Sequence, residues 1–190
     1  MAIKRIVSTS FWTDSKIEKM TSDEKYLFLY LLTNPYTTQL GIYEIPLNLS
    51  SQHLGWDVEK LMNIISKLEQ YGVILYSEDT SEIAIKNYLT HSIIKGGKPV
   101  FDCLMKEKKK VKNEKLLHYI CESLSGKKEE LNKTVVEFLG VLNGTSIQES
   151  DFKRNTKNRF NNFHQRKYDI QKLEAQLLLG GNNNNKLKIK

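Results

Sequence analysis

The stretch that most constrains the fold is TSDEKYLFLYLLTN, which begins at Thr21 and ends at Asn34. Thr21 and Glu24 have the spacing of a capping box, in which each side chain accepts a hydrogen bond from the other residue's backbone N–H. Residues 26–32 are all apolar or aromatic, so a helix here must be covered on several sides. Asn34 precedes Pro35, and the residue before a proline avoids helical backbone angles. We therefore predict a central helix, covered either by its own chain alone or partly by a partner segment or second copy.

Aromatic residues in and near this helix are the candidates for self-association. The four that we assign to this role are Trp12, Tyr26, Phe28 and Tyr30. Large aromatic side chains are enriched at the energetically important centres of protein interfaces. Within a single chain, we also expect Trp12 and Ile17 to pack against the central helix.

The elements after the central helix follow the order strand, helix, helix, hairpin. A β-rich run spans 41–45, and Pro46 opens a brief helix that ends at Leu54. Asp57 caps a helix over 58–71, since Asp is a preferred N-cap residue. The runs 73–76 and 83–86 flank a short polar loop and predict a hairpin. This order is typical of a winged helix-turn-helix, a fold that serves DNA binding, dimerisation or protein docking.

The predicted fold class is mainly α with a small β-wing. We assign 1–92 to a winged-helix module, 93–145 to a helical extension, and 146–190 to a basic, largely flexible tail with a short amphipathic helix. Helices are expected at 98–111, 116–124 and 128–142 because their apolar residues recur at helical spacing. The five lysines that close the first of these suit the negative end of a helix dipole: Lys106, Lys108, Lys109, Lys110 and Lys112.

The net charge of +7 is unevenly distributed along the chain. Residues 1–92 carry 8 Lys/Arg against 11 Asp/Glu, 93–142 carry 11 against 7, and 143–190 carry 10 against 4. A basic rear half predicts an anionic partner. The sequence contains neither an apolar stretch of membrane-spanning length nor a signal-peptide core, so we expect a cytoplasmic protein with no membrane partner.

Nothing in the sequence indicates an enzyme, a metal site or a cofactor. Gly96-Gly97-Lys98 lacks the spacing of a phosphate-binding loop. Cys103 and Cys121 are too few for a disulfide framework, and the four histidines are not spaced as metal ligands. We expect both cysteines to be reduced core residues and any ATPase activity to reside in a partner.

Three segments resemble the N-terminal module of phage replication initiators, the replisome organisers related to the bacterial primosome protein DnaD. They are STSFWTD at 8–14, EKYLFLYLLTNP at 24–35 and GIYEI at 41–45, and KGGKPV at 95–100 is also similar. FNNFHQRKYD at 160–169 resembles a tail motif common in such phage proteins, although unrelated proteins contain it too. The resemblance implies a self-associating winged-helix module, DNA binding, and recruitment of a host helicase loader or primosome protein. The Tyr…Ile-Arg…Trp signature of the relatives' C-terminal domain is missing, so 98–142 is not assigned to that domain.

Two surfaces are candidates for DNA contact, and the first is the exposed stripe of helix 58–71. Its members are Lys60, Asn63, Lys67 and Gln70. Lysine suits phosphates or guanine, whereas asparagine and glutamine suit adenine. A solvated amphipathic face explains the same residues equally well. Carboxylates beside the stripe and in the wing would repel phosphate: Glu59, Glu69, Glu78, Asp79 and Glu82.

The second candidate surface is the tail, where cationic residues alternate with aromatic ones. We assign DNA contact to Lys153, Arg154, Lys157, Arg159, Phe160, Phe163, Arg166 and Lys167. Cations that follow the backbone and rings that stack on bases are the components of a single-strand binder. The alternative is that these aromatic side chains dock on protein.

Three functions are consistent with these patterns. The leading hypothesis is a phage-type replication initiator that self-associates, holds double- and possibly single-stranded DNA through its basic rear half, and recruits host replication proteins. The second is a sequence-specific winged-helix transcription regulator. The third is a protein-interaction scaffold without DNA binding.

Overall fold

The structure is a computed structural model that describes residues 4–93, 95–127, 129 and 131–144. These residues are mainly helical and include a small three-stranded antiparallel sheet. The helices are α1 (Ser15–Glu18), α2 (Ser22–Thr33), α3 (Leu47–Leu54), α4 (Val58–Gln70), α5 (Tyr88–Ser92), α6 (Lys98–Lys108), α7 (Glu114–Leu124) and α8 (Lys133–Leu142). The strands are β1 (Ile42–Glu44), β2 (Ile74–Ser77) and β3 (Glu82–Ile85). Short 3₁₀ turns occupy Thr9–Thr13 and Ser125–Lys127.

Helix α2 confirms the predicted capping box. The backbone N–H of Glu24 donates to Thr21 Oγ1 at 3.3 Å, and that of Thr21 donates to Glu24 Oε2 at 2.8 Å. The helix ends at Thr33, and the Asn34 side chain donates to the hydroxyl of Tyr43 at 2.8 Å. Of residues 26–32 only Tyr26 is exposed, because the rest of the described chain covers the helix on its other sides.

The predicted boundaries of α3 and α4 are confirmed to within one residue. Gly55 follows α3 with a φ of 71°, and Gly72 follows α4 with a φ of 62°. Only glycine adopts this left-handed conformation without a steric cost. Asp57 caps α4, since its Oδ1 accepts the backbone N–H of Lys60 at 2.6 Å.

The sheet has the strand order β1-β3-β2, and all neighbours are antiparallel. Strands β2 and β3 form the predicted hairpin, with Ser77 paired to Glu82 at its closed end. Successive side chains of a strand point to opposite faces. All four residues of β3 are buried, so both faces of the sheet are covered.

The two faces of the sheet contribute to two separate cores. Ile83 and Ile85 join the core built around α2 and α4. Ala84, with Leu40, Ile42 and Leu89, joins a second core formed mainly by α6, α7 and α8. This second core contains residues from both sides of the boundary expected between 92 and 93. The helical extension is therefore packed directly against the sheet.

Several boundaries and one packing assignment differ from the sequence predictions. The 3₁₀ turn directs Phe11 into the first core, where its ring stacks on Phe28 at 5.9 Å, while Trp12 is 58% exposed. The prediction that Trp12 packs on the central helix is therefore wrong, whereas Ile17 is buried in that core as predicted. Helix α5 was not predicted, and α6 ends three residues before 111.

The last described helix begins five residues later than predicted. Asn132 caps it by accepting the backbone N–H of Thr134 at 3.0 Å. Gly96 lies so close to this cap that a Cβ atom there would overlap the side chains of Asn132 and Thr134. Close packing against α8 thus explains Gly96, whereas Gly97 has a positive φ of 132° that favours glycine. Among the described helices none could cross a bilayer, since the longest, α4, has 13 residues.

Candidate nucleic-acid interface

The two lysines of the α4 stripe are both engaged by carboxylates of α2. Lys60 Nζ lies 2.7 Å from Asp23 Oδ2 and 4.7 Å from the centre of the Trp56 ring. Lys67 Nζ lies 3.5 Å from Glu24 Oε1. Each ammonium group already has a local partner, so a phosphate would have to compete for it.

The carboxylate of Glu24 is almost fully buried and remains charged. Burial by itself raises its pKa, but hydrogen bonds from Thr21 and the nearby ammonium of Lys67 outweigh burial and leave the pKa lowered. A buried charge is tolerated only when it is paired and hydrogen-bonded. Lys67 therefore stabilises the start of α2 by pairing with the carboxylate of Glu24.

The groove between α2 and α4 is acidic overall. Two lysines line it together with four carboxylates, those of Asp23, Glu24, Asp57 and Glu59. Asn63 and Gln70 are exposed, and neither side chain forms a hydrogen bond within the described ranges. The stripe thus offers two amides beside an excess of negative charge, which disfavours close contact with a phosphate backbone.

The three carboxylates assigned to the loop between β2 and β3 differ in their exposure. Glu78 and Asp79 are exposed in the loop between β2 and β3. Glu82 is 3% exposed, and its carboxylate accepts the backbone N–H groups of Lys112 and Asn113 at 2.9 Å each. Assigning Glu82 to the solvent-facing wing was wrong. Sequence alone could not show this because its partners are about thirty residues away in the chain.

Glu107 makes a similar contact at the end of α6. Its carboxylate accepts the backbone N–H of Gln39 at 3.1 Å and that of Leu40 at 2.7 Å. Charged acceptors make hydrogen bonds roughly twice as strong as neutral ones. The Glu107 carboxylate is therefore directed to the turn before β1, and within the described residues it forms no ion pair with the lysines beside it.

Four lysines in the last turn of α6 and directly after it have no carboxylate partner among the described residues. We call Lys106, Lys108, Lys109 and Lys110 the α6–α7 lysine cluster. None of them forms an ion pair within the part of the chain that the structure describes. Lys112 differs, since its Nζ lies 2.7 Å from Glu44 Oε2 and this contact raises its pKa. The sequence predicted that these lysines complement the negative end of the helix dipole, but it did not indicate that Glu107 bonds to the turn before β1.

The four candidates for self-association are separated by their exposure. Trp12 and Tyr26 are 58% and 49% exposed, and Tyr26 makes an edge-to-face contact with Trp56 at 5.7 Å. Phe28 is buried in the first core, which removes it from any surface offered to a second copy. Tyr30 is half-buried, and its hydroxyl forms a hydrogen bond with His53 Nδ1 at 3.0 Å.

The remaining predicted contacts of the tail lie outside the described residues. They are Lys153, Arg154, Lys157, Arg159, Phe160, Phe163, Arg166 and Lys167.

Among the described residues, no three His, Cys, Asp or Glu side chains form a cluster that could hold a metal ion. Cys103 and Cys121 are free and half-buried, and burial raises the pKa of both thiols.

No protein-family model, curated protein or solved structure matches this chain. A function for it therefore has to be argued from its own residues, their charges and their contacts. Among the described residues, the lysines of α4 are paired with carboxylates, whereas those at the end of α6 and directly after it are not.

Proposed function

We propose that this protein is a phage-type replication initiation protein that binds DNA, self-associates and recruits host replication proteins at an origin. The observation that carries the proposal is the α6–α7 lysine cluster, whose four ammonium groups have no carboxylate partner in the described chain. Lysines that lie close together in the chain and have no carboxylate partner are typical of a phosphate-binding protein. The further excess of Lys and Arg in 146–190 acts in the same direction.

The finer fold that we propose for the front of the chain is a winged helix-turn-helix. Helices α2, α3 and α4 would form its helical part, and the β2–β3 hairpin would be the wing. The chain order of helix, strand, helix, helix and hairpin supports this assignment, as does the sheet order β1-β3-β2. The resemblance of 8–45 to phage replication initiators has the same implication.

DNA would be held mainly through its backbone by the lysine cluster and the tail, with α4 in a secondary role. The pairing of Lys60 and Lys67 with α2 and the acidic groove beside them support this division. Contacts to phosphate position a protein but carry no sequence information directly. The tail's aromatic residues would add stacking on single-stranded bases exposed by origin melting.

The front of the chain would serve protein contacts. Exposed Trp12 and Tyr26 are suited to a homo-oligomer interface, since isolated aromatic anchors contribute much of the energy of such contacts. A host helicase loader or primosome protein is the heterologous partner in this proposal, and the site of action is the bacterial cytoplasm at the nucleoid.

The lysine cluster can be tested by measuring how the affinity of the full chain for duplex DNA depends on salt. The double variant Lys109→Gln/Lys110→Gln should bind all sequences more weakly, and the slope of log affinity against log salt should flatten by about 0.9 for each lost contact. Lys60→Gln/Lys67→Gln removes the same charge from α4 and should change the slope much less. Replacing Lys153, Arg154, Lys157 and Arg159 with alanine should flatten it by several units at about the same increment per contact.

The opposite result would support the transcription regulator. In that case Lys67→Gln alone abolishes specific binding, whereas both the lysine cluster and the tail can be substituted without loss. If neither the wild type nor any variant binds DNA in a salt-dependent way, the protein-interaction scaffold remains as the function.

A further inference from the structure

A cleft of about 480 Å³ lies beside the first core, away from the α6–α7 lysine cluster. One wall is the N-terminal segment with α1, and the other is the end of β3 with α5. Its floor includes the rings of Phe11 and Phe28. The volume lies within the roughly 300–1,000 Å³ that small-molecule sites occupy.

The wall formed by the N-terminal segment is fixed by contacts on both sides of the cleft. The guanidinium of Arg5 donates to the carbonyl oxygen of Thr37 and to Gln39 Oε1. Lys16 Nζ donates to the carbonyl oxygen of Tyr71 at 3.0 Å. These bonds connect the segment to distant parts of the chain, so the cleft is a defined feature of the fold.

Two polar atoms in the opposite wall have no hydrogen-bond partner. Asn87 Oδ1 and Ser92 Oγ are buried and unpaired, and both residues line the cleft. An unpaired buried polar group destabilises the folded state, so each one in a folded protein calls for an explanation. Neither atom is accessible to solvent in this structure, so a ligand group in the cleft would satisfy them after the Asn87 and Ser92 side chains rotate toward it.

The charges that line the cleft favour an anion. Among the residues that the structure describes, Lys16, Lys86 and Lys127 line it together with a single carboxylate, that of Asp14. Asp14 is already occupied as the N-cap of α1, where it accepts the backbone N–H of Lys16 at 2.9 Å. Lys86 and Lys127 form no ion pair within the residues that the structure describes, although Lys86 Nζ lies 5.9 Å from the centre of the Tyr119 ring.

We propose that this cleft binds a small phosphate-bearing ligand with an aromatic body, of the class of a nucleoside monophosphate. The lysines bind the phosphate, and the rings of Phe11 and Phe28 contact the base. Asn87 and Ser92 form hydrogen bonds with the polar edge of the base. The phosphate belongs either to a free nucleotide or to the 5′ end of a strand. This site is independent of the replication function, since none of its residues belongs to the lysine cluster or the tail.

The experiment is calorimetric titration of the full chain with thymidine monophosphate. Saturable binding is expected, together with weaker binding of thymidine and of inorganic phosphate alone. Lys86→Gln/Lys127→Gln should weaken it by at least about tenfold, as expected for the loss of charge-assisted bonds. Lys25→Gln/Lys115→Gln removes the same charge elsewhere and should leave the affinity unchanged.

A second variant separates ligand binding from folding. Ser92→Ala removes an unpaired hydroxyl, so it should weaken binding several-fold while leaving the free energy of unfolding unchanged or higher. A titration with a 5′-phosphorylated oligonucleotide, compared with the same strand lacking the phosphate, identifies the source of the phosphate. Absence of saturable binding at millimolar nucleotide, or equal losses in the two lysine pairs, would overturn the proposal. So would thymidine monophosphate binding no tighter than inorganic phosphate.

Discussion

Glu82 and Asn113 are 31 residues apart in the chain, yet the carboxylate of Glu82 accepts the backbone N–H of Asn113 at 2.9 Å. The same carboxylate accepts the backbone N–H of Lys112 and the hydroxyl of Thr80. Glu107 makes a second connection, in which a carboxylate of α6 accepts backbone N–H groups of the turn before β1. These two carboxylates, of which Glu82 is buried and Glu107 is half-buried, join the helical extension to the sheet on either side of the lysine cluster.

Glu82→Ala should destabilise the protein by about 2–4 kcal/mol, because it leaves backbone donors without their charged acceptor. Urea unfolding of the full chain at pH 7 measures the change. Glu78→Ala removes the same charge from the exposed loop of the same hairpin, and its effect should stay within about 0.5 kcal/mol. Equal effects of the two variants would show that the contact to the α6–α7 turn contributes nothing.

Stability should depend on pH through Glu24. Its pKa is lowered in the folded protein relative to the ordinary value of 4.5, so the unfolded chain binds the proton more readily. This stabilisation is fully present above about pH 4.5 and is lost as the pH falls through the lower folded value. At pH 7 Glu24→Gln should therefore be less stable than wild type by about 1–3 kcal/mol, and the difference should shrink in acid.

The control for Glu24 is Asp23→Asn, which removes the neighbouring carboxylate. Asp23 is exposed and its pair with Lys60 is solvated, so this variant should lose less than about 1 kcal/mol. Thermal unfolding between pH 3 and pH 7 gives both curves. A pH-independent difference between Glu24→Gln and wild type would contradict the assignment of the lowered pKa to this residue.

Self-association should depend on the exposed aromatic residues. Trp12→Ala/Tyr26→Ala should weaken the homo-oligomer by at least about tenfold in sedimentation equilibrium of the full chain, while leaving its stability nearly unchanged. Tyr36→Ala/Leu49→Ala removes apolar side chains that are 37% and 38% exposed and should have little effect. A monomeric wild type at high micromolar concentration would refute this assignment directly.

Local sequence determined the parts of the fold that are satisfied within a few residues. The capping box of Thr21 and Glu24 and the Asp57 cap each complete their hydrogen bonds inside one helical turn. Gly55 and Gly72 end helices because only they adopt the required backbone angles cheaply. The order of the front elements and the hairpin depends on similar local signals, so it was predictable from residue types alone.

Tertiary structure alone decided which charged and aromatic side chains are available to a partner. Phe11 and Trp12 are neighbours in sequence, but the 3₁₀ turn buries one and exposes the other. Lys67 is paired with a carboxylate of another helix. Within the described residues the lysine cluster has no such partner, because Glu107 is hydrogen-bonded to the turn before β1. The physical reason is that a charge's partner is set by distance in space, and these partners lie about 40 to 70 residues away along the chain.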